Sequence, residues 1–381
     1  MSRFESKLLE AIDAEVSETK RSVLQLTWAA YRVRVGDPAK ARDIAANIRA
    51  RYSTNYSAQV FAYINFVEGL CEFFESGIES AIPKLMRSNA LSNGCPADDD
   101  LPMLVKTWLA ALYRILGNWK FMADFLILAA CCCDRASDEA SCRLCLVTAD
   151  AFQEIESYSD AARWYSAAHR YALSAGDDAA LSAILYNRAA IRIFNSRLGE
   201  IRGDQVDTTE DRIALEAASA RNYTQYINDM SMRWGFDLMA GQIHLLKHDY
   251  EQALALLDSE RFCNFEHQWP AVDLVRRADV FRCGAILGRI GVDDLGSYAD
   301  RVWLRSGVIS GSGDKAVTAY SLSMGLKSSD DNHSLRFLKI AQKALEIFDD
   351  ERRRESVELD RFIRSTDAQA KFTSPISSGS F

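Results

Sequence analysis

Small residues recur about every 40 positions along this chain, and a fixed spacing of that length constrains the fold more than any other feature. Ala41, Ala81, Met122 and Ala161 lie 40, 41 and 39 apart, and 12 residues before each stand Ala29, Gly69, Ala110 and Ala149. A period between about 20 and 50 residues marks stacked supersecondary units, each too small to bury its own apolar face. Two small residues 12 apart let the two helices of a helix-turn-helix unit approach closely, with larger apolar residues at helical offsets around them. Three residues before the second small position come Pro38, Ile78, Trp119 and Tyr158; four after it come Ala45, Leu85, Leu126 and Tyr165; seven after it come Ile48, Ser88, Ala129 and Ala168.

The unit with Ala149, Phe152, Tyr158, Ala161, Tyr165 and Ala168 is the clearest. In it the chain resembles the tetratricopeptide repeat family, whose helix pairs carry small and aromatic residues at these spacings. The pattern returns as Gly241, His244, Tyr250, Ala253 and Leu257, and Ala253 is 92 residues beyond Ala161, two periods of 40 plus 12. The polar stretch Gly199–Glu210 accounts for the excess, read as a loop inserted in a fifth unit whose register is held by Ala189 and Ile213. Weaker units fall near Ala285/Ser297 and Gly325/Leu338.

The resemblance covers roughly residues 20 to 350. It departs from the family in its longer period, in Arg32, Glu68 and Glu72 at positions expected to be apolar, and in lacking most inter-repeat prolines. Long units of this kind are similar to the repeat domains of large bacterial transcriptional activators. What the resemblance implies is an all-α, right-handed α-solenoid of about eight helix-turn-helix repeats over 1–350, interrupted by the 199–210 loop.

Composition agrees. With 48% apolar residues among 381, the chain can bury a large core, and a 40-residue period spreads that core along a stack. Pro38, Pro102 and Pro270 lie where helices should start, a place that tolerates the missing N–H. Ser182 to Phe194 and Asp273 to Leu287 keep apolar residues at spacings of three and four, and no alternating strand pattern occurs. Residues 351–365, charged but carrying Val357, Leu359, Phe362 and Ile363, read as an amphipathic helix capping the last unit. The small, polar segment 366–381 reads as a disordered tail.

The charged start lacks the apolar stretch of a signal peptide, and the longest apolar run, Phe125 to Cys133, is far shorter than a membrane span. Nine cysteines without an export signal point to a reducing cytoplasm. The net charge of −8 argues against a broad nucleic-acid surface, because phosphate binding needs a concentrated positive field. The expected partner is therefore a protein or peptide, with no membrane and no direct nucleic-acid contact.

Candidate chemistry is sparse. Cys131, Cys132 and Cys133 precede Cys142 and Cys145 across a short turn, but consecutive helical residues point about 100° apart and cannot all face one ion. Cysteine is also a common small buried residue. His244 and His248 are four apart, yet the segment reads HLLKH, without the glutamate and third ligand of a HExxH site. His244 is placed at an internal packing position and His248 in the turn. Gly311-Ser312-Gly313-Asp314 lacks the Lys-Ser or Lys-Thr of a phosphate loop. No catalytic residue, metal or cofactor is expected.

The polar edge of the fifth unit's first helix is the candidate partner surface. Arg188, Arg192 and Asn195 recur at four and three spacing, with Tyr186 and Asn187 beside them. Such a stripe can take an acidic peptide or a terminal carboxylate through charge-assisted hydrogen bonds; pairing with acids of the same chain is the alternative. The function expected is a non-enzymatic scaffold or adaptor that binds a protein or peptide in the concave face. A regulatory input module that binds a small ligand and controls an effector is the second reading.

Overall fold

A computed structural model describes residues 2–96, 98–132, 136–204, 209–228, 233–262, 266, 269–309, 311–327 and 331–373. Among the described residues the regular structure is entirely helical, with no strand. The first nine helices are α1 Arg3–Ala14, α2 Glu18–Arg34, α3 Pro38–Arg51, α4 Ala58–Ser76, α5 Ile78–Ser92, α6 Leu101–Ile115, α7 Trp119–Ala130, α8 Asp138–Glu154 and α9 Tyr158–Ala175. There follow α10 Asp178–Arg202, α11 Thr209–Tyr226, α12 Arg233–Leu246, α13 Tyr250–Leu257, α14 Pro270–Ile286, α15 Leu295–Trp303, α16 Ser312–Leu326, α17 Asp331–Thr366 and α18 Ala368–Thr373. None of the described helices is long and apolar enough to cross a membrane.

Local chemistry sets many of these boundaries. Ser17, Asp37, Ser57, Asn118, Ser137 and Asp249 each accept a hydrogen bond from a backbone N–H in the first turn of the helix they precede. Pro38 and Pro270 open their helices and Pro102 stands second in α6, where no intrahelical donor is lost.

The chain forms two compact units. Unit 1 comprises Met1–Ile184, Thr224–Ser231 and Arg354–Phe381. In it α2 packs on α3, α4 on α5, α6 on α7 and α8 on α9, while α2, α4, α6 and α8 also touch in succession. The small-residue register lies at these crossings. Ala29, Ala41, Ala81, Ala110, Met122 and Ala149 are wholly buried, and a Cβ on Gly69 would come within 2.8 Å of the Leu85 side chain. The charged departures find partners within and between hairpins: Glu68 receives Arg49 of the preceding hairpin at 2.6 Å and Lys84 of its own at 2.8 Å, Glu72 receives Arg42 at 3.1 Å, and Arg32 bridges Glu5 of α1 and Asp37 of its own turn.

Unit 2 comprises Leu185–Tyr223 and Met232–Arg353. Ala189, Ile193, Ile213, Phe236, Met239 and Ile243 form one core cluster, and Ala253, Leu254, Leu257 and Cys283 belong to a second. The third unites Leu198 and Ile201 of α10 with Phe281 of α14, Leu295 and Ala299 of α15, Leu322 of α16 and Phe337 of α17. The register holds at Gly241, where a Cβ would stand 2.6 Å from Leu257, and at Ala253. It shifts in the last two hairpins. Ser297 and Leu338 are not buried, whereas Ala299, Ser334 and Phe337 are. In the last hairpin Ser323 and Ser334 sit at the close crossing, each hydroxyl donating to the other's carbonyl at 2.9 and 3.0 Å.

Three expectations are corrected. Gly199–Arg202 is helical, so the expected 199–210 loop gives up its first residues to α10; Thr209 and Glu210 are helical too, and 205–208 lie outside the described residues. The physical reason is burial: Leu198 and Ile201 fill the unit 2 core, and Arg202 reaches Asp349 at 2.5 Å. The segment 351–365, expected as a separate capping helix, is the end of one continuous helix, α17, and from Arg354 on it belongs to unit 1. Phe362, wholly buried, packs on Trp164 of α9 within unit 1, and Arg361 binds Asp124 of α7 at 2.7 Å. The expected tail begins with α18, whose buried Ala368 and Phe372 dock on the same α9, Phe372 against Trp164; 374–381 lie outside the described residues.

Candidate functional site

Unit 1 holds a groove of about 670 Å³. Its walls come from the first helices of four successive hairpins: Val23, Leu24 and Thr27 on α2, Gln59 and Tyr63 on α4, Leu104 on α6, and Asp138 and Glu139 on α8. Phe4, Lys7 and Leu8 of α1 close one side, and Asp98, Asp99 and Asp100 before α6 form a rim.

Hydrogen bonds hold the rim in place. Asp99 accepts from the Tyr63 hydroxyl and the Gln59 amide at 2.7 Å each and from the Leu101 N–H at 2.9 Å. Asp100 accepts from the Ser137 N–H at 2.9 Å, tying the start of α6 to the start of α8; burial raises its pKa. Glu139 is drawn to Arg34 at 2.9 Å, but Arg34 is shared with Asp177 at 2.8 Å, and burial pushes the Glu139 carboxyl up to about 7.

Helix α1 is fastened at both ends of the stack. Glu5 accepts from the Trp28 indole N–H at 3.0 Å and from Arg32 at 3.2 Å on α2. At the other side Phe4 N–H donates to the Gly176 carbonyl at 3.1 Å, and Arg3 donates to the Ser174 carbonyl at 2.9 Å, just past and at the end of α9. The first and fourth hairpins are thereby joined, and the groove between them is walled on several sides. Apolar floor, hydroxyls, carboxylates and ammonium groups together can hold an organic ligand by burial and directed hydrogen bonds.

The residues expected to meet a partner lie elsewhere, on α10 in unit 2. Arg188 and Arg192 both bind Glu216 of α11, at 2.9 and 2.5 Å. Asn195 is buried and accepts from Arg352 at 2.7 Å. Tyr186 stacks edge-on against Phe236, and a Cβ on Gly235 would fall 2.2 Å from its hydroxyl. Asn187 is half-buried on the same helix. Of the two readings of this stripe, the structure places the charged pair in contact with an acid of the same chain.

Cys142 and Cys145 are buried in α8, Cys131 and Cys132 follow the end of α7, and Cys133 lies outside the described residues. No group of three or more His, Cys, Asp and Glu among the described residues could hold a metal ion. His248 occupies the α12–α13 turn, as expected. His244 is half-exposed beside Asp249 at 3.0 Å, not internally packed as expected.

The groove was missed in the sequence because its residues come from six helices, α1, α2, α4, α6, α8 and α9, and the segments between them. The usable signals were the Asp98–Asp100 run directly before a helix and polar residues on first helices, such as Gln59 and Tyr63. No protein-family model matches the chain, and no curated protein matches it.

Proposed function

We propose that this chain is a non-enzymatic binding protein, built as a right-handed tetratricopeptide-like stack of about eight helical hairpins, that receives a protein or peptide in the unit 1 groove. The observation that carries the reading is that first helices of four successive hairpins line one continuous groove. That is the surface on which a helical-repeat stack can add a few contacts per repeat along an extended ligand. Recognition would combine apolar contact with Val23 and Leu24 and hydrogen bonding to the acidic rim, with no covalent step.

A small-ligand input module is the second reading, favoured by the size of the groove, which falls within the range of about 300–1,000 Å³ that encloses small molecules. Affinity capture from the native host, with the wild-type chain and a Leu24→Glu variant whose helicity is unchanged, tests the first reading. A protein held by the wild type and lost by the variant supports it. Identical captured sets overturn it, and a metabolite that raises the melting temperature of the wild type alone would support the second.

A further inference from the structure

Arg143 on α8 lacks any hydrogen-bond or ion-pair partner among the described residues, and its Nε is buried. Its guanidinium lies 3.5 Å from the centroid of the Trp108 ring on α6, and Trp108 is itself buried and set edge-on against Phe73 of α4. The other inward arginines of unit 1 differ. Arg34 is held by Glu139 and Asp177, and Arg114 by Glu154 and, at 3.6 Å, by Asp150. Two arginines thus share four carboxylates, and the third has an aromatic face alone.

The position of this pair is as informative as its lack of a partner. Glu139, one turn before Arg143 on α8, and Leu104, one turn before Trp108 on α6, both line the groove. The Arg143–Trp108 pair therefore stands on the same two helix faces one turn, about 6 Å, further along the axes of α8 and α6, next to the lining residues of the groove. A guanidinium presents a planar fork that fits a carboxylate in two parallel hydrogen bonds, and Arg143, part-buried with its Nε out of reach of water, has no such partner among the described residues. Burial and the like charge of Arg34 press its pKa down to about 10, which is the electrostatic signature of a cation short of a counter-ion.

We infer that Arg143, stacked on Trp108, is the anchor for a carboxylate that enters the unit 1 groove, so that the ligand is a small monocarboxylic acid or a peptide bearing one accessible carboxylate. The choice of a single negative charge follows from the surroundings. Asp150 and Glu139 already lie on α8 nearby, so a dianion such as phosphate would meet repulsion that one carboxylate, paired with one free guanidinium, does not. The inference rests on the groove being a binding site, and adds the chemistry of what it binds.

The test is thermal unfolding of the full chain with acetate, butyrate, benzoate and a free-acid tripeptide, each against chloride at equal ionic strength, with orthophosphate and the tripeptide amide as controls. The wild type should melt higher with at least one monocarboxylate and not with phosphate or the amide. Arg143→Gln should melt at or above the wild type without ligand, because it removes an unpaired cation, yet lose the carboxylate response at least tenfold in midpoint concentration. Trp108→Phe should keep the fold and weaken the response. A response to the free small acids points to a metabolite, and one confined to the tripeptide acid points to a peptide. A wild type indifferent to all carboxylates, or Arg143→Gln responding as the wild type does, overturns the inference. Neither outcome bears on captured proteins, so failure here is separable from failure of the groove as a docking surface.

Discussion

At the scale of single residues, the turns inside the hairpins repeat one backbone device. Gly36, Gly77 and Gly117 take positive φ between first and second helix, and in the next hairpin Glu156 does so with φ 62°. A residue with a Cβ is strained there, and glycine is not. Around Gly117 a Cβ would meet nothing within 4 Å, so the backbone alone decides. Gly117→Ala should cost about 1 kcal/mol, and Glu156→Gly should return roughly 0.5–1 kcal/mol, both read from urea midpoints at constant slope.

Asp314, in the first turn of α16, illustrates a second residue-scale effect. Burial pushes its carboxyl up to about 6, against a partial pull downward from Arg197. The folded chain then holds this proton more tightly than the unfolded chain does. Its contribution to stability is complete below about pH 4 and is lost as pH rises through about 6. Asp314→Asn should remove that part of the slope when unfolding midpoints are compared between pH 4 and 7. An unchanged slope would assign the pH dependence to other groups.

Among elements, α10 and α17 decide most. Residues 199–202 look polar, yet α10 runs through them because Leu198 and Ile201 face a core built from α14 to α17. Arg197 is fixed there by Asp279, whose carboxylate also takes the Ser321 hydroxyl at 2.7 Å. Leu198→Ala should therefore cost about 2–5 kcal/mol, the range for large-to-small changes in a packed interior. A surface loop would give less than about 0.5 kcal/mol, and denaturant unfolding distinguishes them.

The end of α17 behaves in the same way in unit 1. Phe362 and Phe372 both pack against the wholly buried Trp164. Phe362→Ala should destabilise by about 3–5 kcal/mol, and hydrogen exchange should show faster opening in α7 to α9. Removing residues from 354 onward should do the same more severely.

For the whole molecule, two units each carry their own buried cores, and unit 1 joins its first hairpin to its fourth through α1 and Arg34. Deleting residues 2–14 should open the groove and remove the contacts to the Gly176 turn. The expected outcome is a lower melting temperature together with faster proteolysis at the α9–α10 junction, read by limited digestion and mass spectrometry.

The helical class, the hairpin period, the buried small positions from Ala29 to Ala161 and the proline-opened helices were all legible in the residues, because they depend on spacing within one or two helices. Local periodicity reports which face is apolar, and it does so reliably where the repeat is regular. Which distant elements share a core was decided only in three dimensions. Nothing local to 199–202 announces that Ile201 shares a core with Phe281 and Phe337, and nothing local to Arg188 and Arg192 announces Glu216. The groove belongs to the same class, since six helices and the segments between them build it, and the unpaired Arg143 next to it becomes visible only when Glu139, Asp177, Asp150 and Glu154 have been assigned to Arg34 and Arg114. Burial and charge pairing depend on what the folded chain brings together, and one-dimensional spacing carries that information only across a turn or two of helix.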